Sequence, residues 1–88
     1  MPTQTDGDRK RDRQQFLRAL YVLAHGRTEA VLDAAQVGRV AQLAPGDAID
    51  AYDWLYDNRL VTEAGHNGET SLTRAGVLRA RELFGPAL

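Results

Sequence analysis

The sequence predicts a mainly α-helical domain with one small β-hairpin, and three observations point there. Apolar residues recur at helical spacing in four separate segments. Two short β-prone runs, residues 60–64 and 69–72, flank Gly65-His66-Asn67-Gly68. Asn-Gly in that setting is a strong local hairpin signal, because both residues tolerate positive φ. The two middle helical segments are joined only by Ala44-Pro45-Gly46.

The elements follow in order. Residues 1–7 are polar and without periodicity, and are expected to form a disordered arm ahead of a single domain over residues 8–88. The first helix is expected from Asp8 to His25, with Phe16, Leu20, Leu23 and Ala24 as its apolar stripe and Gly26 as its C-cap. Leu17 widens that stripe, while Tyr21 and Val22 fall outside it. Ala30, Val31 and Leu32 suit one short strand. Asp33-Ala34-Ala35-Gln36 fits a capping box, in which Asp33 accepts from the amide at the third helical position. The second helix is expected to reach Leu43, with Val37, Val40, Ala41 and Ala44 on one face. Pro45 fits the first turn of the third helix, where its missing N–H costs nothing. Asp47 follows, favoured there by the helix dipole. Ala48, Ala51, Tyr52 and Leu55 cluster on one side of that helix, with Ile49 and Tyr56 on the flank. Asp50, Asp53, Trp54 and Asp57 take the opposite side. After the hairpin, Thr73 is placed to cap a last helix over residues 74–84, closed by Gly85-Pro86.

Composition narrows the function. A chain of 88 residues makes one domain with a thin core, for which a second copy is a reasonable source of burial. The absence of cysteine excludes disulfides and thiolate chemistry and suits a reducing cytoplasm. Ten arginines against one lysine suit a GC-rich prokaryotic genome. The longest apolar runs are a few residues, so no membrane span is expected, and the N-terminus lacks the apolar run of a signal peptide. His25 and His66 lie in separate elements without metal-ligand spacing, and no nucleophile–base grouping or phosphate loop is present. The expectation is therefore no enzyme, no metal site and no cofactor.

Residues in the middle of the chain carry a resemblance. Val37, Gly38, Ala41, Leu43, Ala44, Pro45 and Ala48 repeat a pattern of aliphatic, small, two apolar, cap, Pro and apolar anchor. Tyr52, Leu55, Leu60 and Val61 continue it, with Arg59 where Gly is usual. Leu72-Thr73-Arg74-Ala75-Gly76 has the form Leu-Thr-x-x-Gly. Over residues 31–84 the chain resembles the winged helix-turn-helix domain of MarR- and PadR-like regulators. The resemblance implies the order helix-strand-helix-helix-strand-strand-helix, with the hairpin as wing. It also implies a cytoplasmic, DNA-binding transcriptional regulator whose third helix enters the major groove. Ala44 takes the place of the usual hydroxyl cap, so that helix should start less firmly.

The charge pattern pulls against groove reading. Residues 1–27 carry +3, residues 46–72 carry −5 and residues 73–88 carry +2, within a total of −1. Asp50, Asp53 and Asp57 offer only acceptors, whereas phosphates and most base edges want donors. Double-stranded DNA would then be held mainly by phosphate contacts. The candidates are Arg9, Lys10, Arg11, Arg13, Arg39, Arg59 and Arg74, with His66 and Asn67 at the wing tip. The arm also reads as a frayed, solvated helix start, and the wing-tip pair as turn residues. The alternative is a protein-interaction module whose surface is Asp50, Asp53, Trp54 and Asp57, suited to a basic partner. Against it, the aspartates can be a solvated face and Trp54 can fold over a neighbouring helix. Two apolar faces on the last helix suggest a homodimer through Tyr21, Val22, Val77, Ala80 and Phe84, unless both faces tuck into the domain's own core.

Overall fold

The computed structural model describes residues 6–65 and 67–88. In chain order it contains helix α1 (Asp6–Leu23), strand β1 (Leu32–Asp33), helix α2 (Ala34–Val40), helix α3 (Pro45–Asp57), strands β2 (Val61–Glu63) and β3 (Glu69–Leu72), and helix α4 (Arg74–Phe84). A 3-10 turn at Gly85–Ala87 follows. The protein is mainly helical, with a small three-stranded antiparallel sheet in the order β1-β3-β2. No helix among the described residues is long and apolar enough to cross a membrane.

Several boundaries differ from the sequence expectation for local reasons. α1 takes in Asp6 and Gly7, which were expected in the arm; the rest of that arm lies outside the described residues. α1 also ends two residues early, because His25 turns to φ 53. α2 stops at Val40, since Gln42 adopts φ 62 and Leu43 N–H donates back to the Gly38 carbonyl at 3.0 Å. β1 is Leu32–Asp33, beginning two residues and ending one residue later than expected, so Asp33 both ends the strand and caps α2. Its carboxylate accepts from Ala35 N at 2.9 Å, the second helical amide and not the third. Val40, expected on the apolar face of α2, is half exposed.

The core is built by α1. Phe16, Leu17 and Leu20 are buried against Val37 of α2, Leu55 of α3, Val61 and Leu72 of the hairpin, and Ala80 of α4. β3 is the central strand, pairing Leu32 with Thr70 on one side and Val61 with Leu72 on the other. Its two buried hydroxyls are satisfied: Thr70 donates to the Thr62 carbonyl at 2.9 Å and Ser71 to the Ala30 carbonyl at 2.7 Å.

Two glycines are required by close approach. A methyl group on Gly38 would lie 2.7 Å from the Ala48 methyl, so α2 and α3 cross nearly in contact. On Gly76 it would run into the Leu60 carbonyl. Thr73 locks the same junction, its hydroxyl donating to the Arg59 carbonyl at 2.6 Å while accepting from Gly76 N at 3.0 Å. Leu-Thr-x-x-Gly is thus a cap, a tie to the end of α3 and a gap for a backbone carbonyl.

Candidate functional site

α3 divides its surface three ways. Ala51 and Leu55 face the core. Ile49, Asp50, Asp53, Tyr56 and Asp57 are exposed, and none of them is a cation. Asp47 and Trp54, on the flank towards α1, are half-buried. On that flank Arg9, Asp12 and Arg13 of α1 share a shallow cleft with Asp47, Asp50, Asp53, Trp54 and Asp57. The Arg13 guanidinium lies over the Trp54 ring, 4.5 Å from its centroid. The basic start of α1 and the acidic stripe of α3 therefore face one another within one chain. Trp54 packs against the core as part of that contact, and so is not the exposed anchor that the interaction surface was expected to present.

The candidate DNA contacts do not gather on one face. Arg9 and Arg13 line the acidic cleft of α3, and Lys10 lines a groove between α1, α3 and α4. Arg11 lies 3.8 Å from Asp8, one turn earlier on α1. Arg39 borders a different cleft, between α2, α3 and the hairpin. Arg59 and Arg74 are exposed around the junction tied by Thr73. Asn67 is exposed at the hairpin tip, and His66 lies outside the described residues.

The proposed dimer residues need correction. Val77 and Ala80 are buried in the chain's own core, because α4 packs both on α1 and over the sheet. Phe84 is half-buried with the Arg18 guanidinium 5.9 Å from its ring centroid. The Tyr21 hydroxyl accepts from Arg81 Nε at 3.2 Å, an α1–α4 tie within one copy. Of the five, only Val22 is exposed, at 50%.

One site was missed at the sequence level. Phe16, Leu43, Pro45, Ala48, Ile49 and Tyr52 wall a cleft of about 480 Å³ that Glu63, Gly68 and Glu69 of the hairpin close on the far side. Tyr52 sits edge-on to Phe16 and stacked on Tyr56, each 6.1 Å away between centroids. Burial raises the Tyr52 phenol above its ordinary value of 10.0; a side-chain hydrogen bond with Thr70 opposes this, while Glu63, Tyr56 and Asp53 add to it. Ile49 is 61% exposed, the most open of the large apolar side chains among the described residues. Its signal in the sequence was an isoleucine set among aspartates, off the apolar stripe of its helix. The second wall, from the hairpin, had no local signal.

No protein-family model, curated protein or solved structure matches this chain.

Proposed function

We propose that this chain is a small winged helix-turn-helix regulator domain whose third helix contacts a protein ligand instead of reading base edges. The fold half of this reading draws support from the element order, the β1-β3-β2 sheet, the near-contact turn at Gly38 and Ala48, and the Thr73–Gly76 junction. One observation carries the functional half. The exposed surface of α3 carries Ile49, Tyr56, Asp50, Asp53 and Asp57 with no cation of its own, and Arg9 and Arg13 of α1 line the cleft beside those aspartates. Such a face repels a phosphate array and suits a partially apolar protein surface.

The test is capture of a partner from the source cell by the tagged full chain, compared with Asp53→Lys and Ile49→Arg. The reading expects a partner that both changes release while the circular dichroism melt stays intact. A partner held equally by wild type and both variants would overturn it. Trp54→Ala is a poor probe, since Trp54 is part of the α1–α3 packing.

A second reading, a DNA-associated regulator held by phosphates, draws on Arg59 and Arg74, exposed on both sides of one junction. It expects salt-sensitive anisotropy with a random duplex, lost on charge reversal at Arg39 and Arg74. No binding at low salt would remove it.

A further inference from the structure

We propose that the cleft between α2, α3 and the hairpin seats an amphipathic, positively charged helix of a partner protein. The inference rests on the reading of α3 as a protein-contact helix and names the chemistry of what it contacts. The cleft walls are apolar and include the exposed Ile49, so an occupant must bring apolar side chains. Its hairpin rim is acidic: Glu63 and Glu69 stand there, and Arg39 on α2 is the one cation among the lining residues. An occupant that lays Lys or Arg along the hairpin side is attracted there, and an acidic one is repelled.

The form of the occupant follows from the walls. The adjoining edge strand β2 has three residues, too short a ladder to recruit an added strand. A groove walled by side chains takes a helix through anchors at i, i+3 or i+4, and i+7. α3 itself has 13 residues, roughly 20 Å of helix, against which about four turns of partner helix can lie.

The experiment uses labelled synthetic peptides and the full chain, read by fluorescence anisotropy. Three peptides of about four turns each are compared: Leu and Lys in amphipathic register, the same composition scrambled, and Leu with Glu in amphipathic register. The amphipathic Lys peptide is expected to bind at least about tenfold tighter than either of the others. Ile49→Arg and Glu63→Lys should each weaken it several-fold, while Leu78→Ser on exposed α4 surface leaves it unchanged. Melts of each variant establish that they fold.

Equal binding of the scrambled peptide, tighter binding of the Glu peptide, or indifference to Ile49→Arg overturns the proposal. If one of these occurs while Asp53→Lys still releases the cellular partner, α3 remains a contact helix and only the cleft seat is lost. If Asp53→Lys is silent as well, both readings fail together.

Discussion

His25, Gln42 and Arg59 end the first three helices in the left-handed region, at φ 53, 62 and 60. In each case the next residue's N–H reaches back five residues: Gly26 to Tyr21, Leu43 to Gly38 and Leu60 to Leu55, at 2.9, 3.0 and 2.9 Å. A side chain there is strained by its Cβ against the following carbonyl. Arg59→Gly relieves the strain at the cost of a more flexible unfolded chain, and a net gain of about 0.5–1 kcal/mol is expected. Thermal melting should read this as a rise of a few degrees; an unchanged or lower midpoint would mean the Arg59 side chain makes a compensating contact. Tyr52 carries a second residue-scale expectation. Because the folded state raises its phenol above 10.0, the neutral form is favoured by folding. Its contribution is present in full below that value and is lost as pH rises through the higher folded one. Urea midpoints followed from neutral to alkaline pH should therefore fall less steeply in Tyr52→Phe than in the wild type. Parallel falls would show that another group governs the alkaline limb.

At the scale of the element, α3 is the helix with the weaker start. Ala44 takes the N-cap backbone conformation, φ −62 and ψ 151, yet supplies no side-chain acceptor. By contrast, Asp33 and Thr73 cap α2 and α4 with bonds of 2.9 and 3.0 Å. Ala44→Ser should add about 1 kcal/mol of stability, measured by urea unfolding. No gain would indicate that water or Pro45 already meets the need of that first turn. The hairpin shows how elements lean on one another. Ala34 N–H, an opening amide of α2, donates to the Gly68 carbonyl at 2.7 Å, so the loop that closes the hairpin also fixes the start of α2.

Across the whole molecule, the basic and acidic stretches of the chain meet along one flank. The basic start of α1 lies along the acidic flank of α3, with Arg13 over Trp54 as the best-defined contact. A double-mutant cycle on Arg13→Ala and Trp54→Leu is expected to return a coupling of about 0.5–1 kcal/mol. Additive single effects would reduce this contact to chance proximity. Removing residues 1–13 would delete nearly half of α1 and so weaken the fold itself; loss of any binding in that variant is not a measure of an arm.

What was legible in the sequence was whatever is encoded within a few residues. α4 spans residues 74–84 as expected, because Thr73, a helical apolar stripe and Gly85-Pro86 are all local signals. The hairpin over residues 61–72 and the Pro45 start of α3 were legible for the same reason. The acidic, cation-free face of α3 was also visible from spacing alone. Tertiary structure decided the partners. Spacing places Trp54 beside aspartates but cannot show Arg13 coming over its ring from a helix 41 positions away. Nor does it show that the Val77 and Ala80 face of α4 is buried at home while Ala75 and Leu78 stay exposed. The cleft belongs to the same class, since its two walls approach only when the hairpin folds back onto α3. Local periodicity fixes which side of a helix is apolar. What covers that side is set by contacts between residues far apart in sequence, and those exist only once the chain has packed.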